Sequence, residues 1–281
     1  KGKLRKHSTI LGFRTAIASI HAGFQDGTNV SNHPTVRQFL KGLFHQMVVK
    51  RQLRSTWDLP LVLSHLSKPP YEPITSAPMR SIAIKTAFLL QISSGRRVSW
   101  GHAIKISPGF LRREPMGITF LPDLLLDKNQ APDYTPPAIY IEALSKTHPQ
   151  EKLNCPIRAV NYYLTRTESV RGQTQNMFLT TKKPIKAASK TTVANWIKVA
   201  ISGAYQGLTK EEAGVSGFTA HTTRAVSTNW AHLAGVPLED ILWAAAWKTS
   251  KSFIQHYKRN LSGTKGRFGR QVLLAAGSSA H

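Results

Sequence analysis

The chain opens with two apolar stripes at helical spacing. Ile10, Phe13, Ile17 and Ile20 fall on one helix face, and Val36, Leu40, Leu43 and Met47 repeat the arrangement, with Phe39 and Phe44 widening the second stripe. Ser8 is placed to cap the first helix, and Asp58 to cap a third, shorter one running to Leu66. From Ser67 to Pro73 a proline-rich break interrupts the pattern and reads as a linker. Beyond it, Ser76 to Ser93 carries Ile82, Ala83, Ala87, Phe88, Leu90 and Ile92, which predicts a buried helix ending at Gly95. The period then changes. Ile118–Phe120, Leu124–Leu126 and Ala138–Ile141 are short β-prone runs parted by turn residues, so residues 117–145 predict a small antiparallel sheet. Helical patterning resumes at Pro156, a residue suited to a first helical position. It continues from Thr192 to Ala204, where Val193, Trp196, Ile197, Ala200 and Ile201 share a side. Further helices are expected at about Thr219–Ala234, Pro237–Trp247 and Ser250–Arg259, with Gly235 as a stop signal. Val272, Leu273 and Leu274 mark a terminal helix that packs on its own domain or on a neighbour. The expected fold is mainly α with a small antiparallel β-sheet, an α+β chain in two parts, residues 1–70 and 71–281.

Composition narrows the class. Of 281 residues, 41 % are hydrophobic, enough for a packed core, so a wholly disordered chain is excluded. Cys155 stands alone, which excludes an intrachain disulfide and a multi-cysteine zinc site and fits a reducing compartment. The longest apolar run, Ile241 to Trp247, is far too short to span a bilayer, and Arg14 interrupts the only early apolar stretch, so no secretory signal is read. The 38 Lys and Arg against 14 Asp and Glu leave a net charge of +24. A polyanion is the natural partner of such a chain, and its binding would be steep in salt. The cations are spread through the patterned region, and no strongly basic amphipathic helix stands out as a lipid anchor, so nucleic acid is favoured over a membrane. Charge alone separates neither DNA from RNA nor an enzyme from a passive binder.

The informative segment lies near the carboxyl end: His221-Thr222-Thr223-Arg224, then Ala245-Ala246-Trp247, then Phe253-Ile254-Gln255-His256-Tyr257. His221 and Arg224 are three apart on an expected helix and would share a face. Each residue alone has an ordinary explanation: Tyr257 as a half-buried helix tyrosine, Trp247 as core, His221 as a satisfied histidine. Their order in a strongly basic chain outweighs that. The set resembles the tyrosine recombinases of the phage-integrase type, whose signature is an early Arg, a Lys on a β-hairpin, H-x-x-R, a His or Trp, and a late Tyr. Arg224 and Trp247 have the usual separation of that family, and Trp247 to Tyr257 is one residue longer. The early Arg matches Arg97 in Gly95-Arg96-Arg97-Val98-Ser99, with Arg96 as a rival, but the acidic residue that commonly follows is here Trp100. Lys128, after the Leu124–Leu126 run, matches the hairpin Lys, with Lys146 and Lys152 as alternatives. Thr56-Trp57-Asp58 and the stretch from Leu153 to Leu164 look most like the recombinases of DIRS/Ngaro-type retrotransposons, with Crypton transposons next.

The resemblance implies a helical core-binding domain followed by a catalytic domain. It implies cleavage and rejoining of double-stranded DNA through a 3′-phosphotyrosyl intermediate on Tyr257. Arg97 and Arg224 would clamp the phosphate, Lys128 would protonate the leaving oxygen, His221 would assist deprotonation, and Trp247 would fill the His/Trp position. No cofactor or metal is called for. A homodimer or homotetramer on DNA is implied, exchanging strands through a Holliday junction, with the tail near Leu273 as an exchange contact. A eukaryotic mobile element would place it in the nucleus. The first residue is Lys, and the amino-terminal helices look shortened, so part of the DNA clamp is expected outside this chain. Two other readings stand beside this one: a DNA-binding protein of the same fold without catalysis, favoured by Trp100 and the longer Trp247–Tyr257 gap, and a type IB topoisomerase.

Overall fold

The computed structural model describes residues 7–47, 57–123, 136–208, 219–247, 249–250 and 253. The chain divides into two compact units, Lys1–Arg54 and Ser55–His281. The first holds α1 (His7–Ile20) and α2 (Pro34–Gln46), packed on each other. Ser8 lies inside α1 rather than capping it, since His7 is already helical. His7 meets Phe44 edge-on, with ring centres 5.1 Å apart, and Asn29 Nδ2 donates to the Ala18 carbonyl. In the connection, Asp26 Oδ1 accepts from both the backbone N–H and the hydroxyl of Thr28, a local turn that needs no tertiary support.

In the second unit α3 (Leu59–Leu66) starts where the sequence says it should: Asp58 Oδ1 accepts from the Leu61 N–H at 3.2 Å. The chain continues through α4 (Met79–Ser94) and α5 (Val98–Ala103) to a three-stranded antiparallel sheet. Its strands β1 (Leu111–Glu114), β2 (Gly117–Phe120) and β3 (Ile139–Glu142) lie in that order. Then come α6 (Leu144–Thr147), α7 (Pro156–Thr167), α8 (Lys190–Gly203), α9 (Thr222–Leu233) and α10 (Leu238–Ala245). The described residues are mainly helical with a small antiparallel sheet. No described helix is long and apolar enough to cross a membrane.

Helix α4 is the centre of this unit. Every residue from Ser81 to Gln91 is buried, because α7, α8 and α9 pack around it. Gly95 ends the helix in the left-handed region (φ 63°), which glycine enters without a Cβ penalty. Pro156 opens α7, and the Cys155 thiol accepts from the Arg158 N–H at 3.3 Å as its cap.

Two expectations change. The sheet gains β1, whose Leu111 pairs opposite Phe120, while Leu124–Leu126 lies outside the described residues. The hairpin between β1 and β2 requires glycine at 117, because a Cβ there would run into the Ile141 carbonyl oxygen and the Tyr140 ring. The stretch from Ser67 to Pro73, expected as a linker, is instead a packed corner. Tyr71 and Glu72 are buried, and Glu72 binds cations on two different helices. Lys85 of α4, itself fully buried, meets Glu72 Oε1 at 2.5 Å and donates to the Leu66 carbonyl. Arg158 of α7 grips both carboxylate oxygens, at 2.6 and 3.0 Å. Burial alone would raise the Glu72 carboxyl, but the hydrogen bonds from Arg158 and Lys85 outweigh it and hold it at about 2.

Candidate active site

The expected site residues that fall among the described ones lie in three places: the turn after α4, the start of α9 and the end of α10. The first is the turn after Gly95. Arg96 is buried; its carbonyl accepts from the Gln91 side chain, and its guanidinium donates to the Pro137 carbonyl at 2.8 Å. Arg97 follows as the residue before α5, in extended backbone, with its side chain half-buried. Trp100, which stands where an acidic residue would be expected, turns inward and meets Phe120 edge-on at 6.0 Å.

The second element is α9. It packs against α4 where Ser227 Oγ donates to the Ile92 carbonyl at 2.6 Å. The position a Cβ would take on Gly95 is 3.8 Å from both Ser227 and Thr228, so the turn carrying Arg97 touches α9 one helical turn past Arg224. Arg224 is 2 % exposed, a rare degree of burial for arginine. His221 sits just before the helix, at the capping position, and is exposed. Its backbone is already helical (φ −69°, ψ −24°), three residues ahead of Arg224. Thr222 ties this start to the beginning of the unit by accepting from Trp57 Nε1 at 2.9 Å.

The third element is the end of α10. Ala246 adopts the left-handed conformation (φ 51°, ψ 54°), which costs an L-residue roughly 1 kcal/mol. The reversal lets the Trp247 N–H bond back to the Leu242 carbonyl at 2.9 Å. It also brings the indole under Arg224, whose Cζ lies 4.3 Å from the ring centre. Arg224 Nη2 donates to the Ala245 carbonyl at 2.5 Å. That carbonyl is one of the last-turn acceptors that a helix leaves without an internal partner. Phe253, 1 % exposed, packs on Trp247 with ring centres 5.8 Å apart. Phe253 stands four residues before Tyr257 in the chain.

The structure therefore brings Arg224 against Trp247, sets the Arg97 turn against α9, and leaves His221 at the position just before α9. Lys128 and Tyr257 lie outside the described residues, as does the tail near Leu273. Of the alternative lysines, Lys146 follows β3 and donates to the Pro115 carbonyl in the β1–β2 turn, and Lys152 lies exposed in the turn before α7. Trp57, the Ala245 carbonyl and the Ala246 turn support the site without having been expected there. Trp57 stood out only as part of the Thr56-Trp57-Asp58 phrase, and Ala245 and Ala246 only as the residues leading to Trp247. The described residues contain no group of His, Cys, Asp or Glu able to hold a metal ion.

No protein-family profile and no curated protein matches the sequence. Solved structures do match. The XerH site-specific recombinase bound to its palindromic difH substrate, a post-cleavage complex, superposes with a TM-score of 0.53 and 15 % identity over 96 % of this chain and 65 % of that one. The chain thus spans just under two thirds of XerH. The XerA recombinase gives a TM-score of 0.52 and 14 % identity over 95 % of this chain and 82 % of that one. The fold is that of the tyrosine recombinases. At these identities the likeness is one of fold. In this chain Arg224 stacks on Trp247, and the turn that bears Arg97 touches α9 beside Ser227 and Thr228.

Proposed function

We propose that this chain breaks and rejoins double-stranded DNA through a 3′-phosphotyrosyl intermediate. The observation that carries the proposal is the fixing of Arg224: a buried guanidinium stacked on Trp247, bonded to a helix-end carbonyl, and close along α9 to the turn that bears Arg97. A preset guanidinium loses little freedom when a phosphate arrives and strengthens its grip as charge grows on the non-bridging oxygens. Arg97 supplies the second fork. The engagement of Arg96 with Pro137 supports Arg97 over its neighbour in this role. Tyr257 attacks phosphorus, forming the P–O(Tyr) bond as the bond to the 5′ oxygen breaks. His221 takes the phenol proton, and Lys128 donates one to the leaving 5′ oxygen. Trp247 packs the pocket and offers its indole N–H to the phosphate. Rejoining runs the same steps in reverse, so no external energy source is needed.

The +24 charge and the fold shared with a recombinase solved on its DNA substrate support DNA as the partner. The working form is a homodimer or homotetramer on DNA. The substrate is the DNA of a mobile element of the DIRS/Ngaro or Crypton kind, and the protein works in the nucleus. The phrases around Trp57 and from Leu153 to Leu164 support this finer reading. One observation favours a binding protein without catalysis: Trp100 packs into the core where a carboxylate would orient the early arginine.

A duplex carrying a nick beside the cleavage position tests both readings. The chain traps a covalent adduct, mass spectrometry finds it on Tyr257, and Tyr257→Phe binds the same duplex unchanged but forms none. Arg224→Lys slows adduct formation by about a hundredfold, the usual cost of losing one preset transition-state donor. Tight binding with no adduct from the unaltered chain overturns the catalytic reading in favour of the binding one.

A further inference from the structure

The β1–β2 turn, α6 and the first half of α7 enclose a pocket of about 210 Å³. Arg113, Glu114, Ser145, Lys146, Arg158 and Asn161 are among the residues that line it. It shares no lining residue with the site around Arg224, and it lies at the end of the sheet away from the β2–β3 connection.

The charges around this pocket do not balance. Arg158 is matched by Glu72 at 2.6 Å, and Glu114 by Arg112 at 3.3 Å. Arg113 and Lys146 make no ion pair among the described residues. Each is instead aimed by a neutral oxygen: Arg113 Nη1 donates to Asn161 Oδ1 at 2.7 Å, and Lys146 Nζ to the Pro115 carbonyl at 2.5 Å. A guanidinium has five N–H donors and an ammonium three, so one bond each leaves most of their donor capacity for a ligand. Two cations aimed by neutral acceptors into a partly enclosed space suit a compact anion with several oxygens. The pocket falls short of the roughly 300 Å³ at which drug-sized sites begin. It has the volume of about seven liquid waters, room for a tetrahedral anion with part of its hydration shell.

We propose that this pocket binds a phosphate group, at a site separate from the one around Arg224. The group is either a free phosphate or a phosphate of a DNA backbone lying across this end of the sheet. The proposal stands independently of the recombinase reading. Inorganic phosphate titrated into the isotope-labelled chain at constant ionic strength should shift the amides of Gly117, Ser145 and Asn161 with saturation. The double change Arg113→Gln and Lys146→Gln, both at exposed positions, should weaken that binding about tenfold or more, while tryptophan fluorescence shows the fold intact. A short duplex then separates the sources. If phosphate competes with DNA, and the double variant loses more DNA affinity than a control change of two exposed lysines outside the pocket, Lys182→Gln with Lys183→Gln, the source is a backbone phosphate. If DNA affinity falls no more than in that control, it is a free phosphate. Shifts confined to other residues, or phosphate affinity unchanged in the double variant, overturn the proposal.

Discussion

Helices α1 and α4 carry apolar residues at comparable density and meet different fates. The stripe on α1 stays largely in solvent: Phe13, Ile17 and Ile20 are 53, 49 and 87 % exposed, and no residue of the helix is buried. Helix α4 is enclosed on all sides, down to the polar Lys85, Thr86 and Gln91. An apolar stripe therefore predicts a helix more reliably than it predicts what the helix packs against. Helicity follows from local spacing, whereas burial needs enough surrounding chain to close over the face.

The sharpest test of this contrast is a cavity in the enclosed helix. Phe88 is fully buried against Trp57, and Phe88→Ala should cost the second unit about 4 kcal/mol. All six tryptophans lie after residue 55, so fluorescence-detected denaturation reads this unit alone. A loss below about 1 kcal/mol would show that the core around α4 is loosely closed. Next in size is the buried charge at the corner. Glu72→Gln keeps the shape but strands Lys85 and Arg158, and should cost about 3 kcal/mol by the same assay. The pH dependence has a definite sign. The Glu72 carboxyl falls on folding from its ordinary 4.5 to about 2. Its contribution is therefore complete above about pH 4.5 and disappears as the pH drops toward 2. The variant should lack that part of the acid-induced loss. The smallest effect is expected on the open helix: Ile17→Ser should change stability by less than about 0.5 kcal/mol, read from helical circular dichroism. A large loss there would mean that the α1 stripe is covered in solution and that the contrast between the helices fails.

Some of the architecture was legible because its signals are local. Asp58 caps α3 through its own side chain, Gly95 ends α4 by its freedom at positive φ, and Pro156 opens α7. Strand β1 was not legible. Leu-Arg-Arg-Glu shows no clean apolar alternation, and these residues become a strand only because β2 offers them a partner. The corner from Ser67 to Pro73 has a linker's composition, yet Glu72 is held by a lysine 13 residues on and an arginine 86 residues on. At the site, the H-x-x-R spacing located Arg224 but not its surroundings. The stacking on Trp247 depends on an alanine in the left-handed region, a conformation that the identity of the residue does not advertise.

Residue order alone determined the helical character of the chain, several helix ends, the strong positive charge and the identity of His221, Arg224 and Trp247 as residues of interest. These depend on near neighbours or on simple sums. Tertiary structure decided which apolar faces are covered, where the buried carboxylate finds its cations, and that Arg224 rests on an indole and a helix-end carbonyl. Those outcomes depend on groups far apart in sequence meeting at hydrogen-bond or van der Waals distance, which local spacing does not encode.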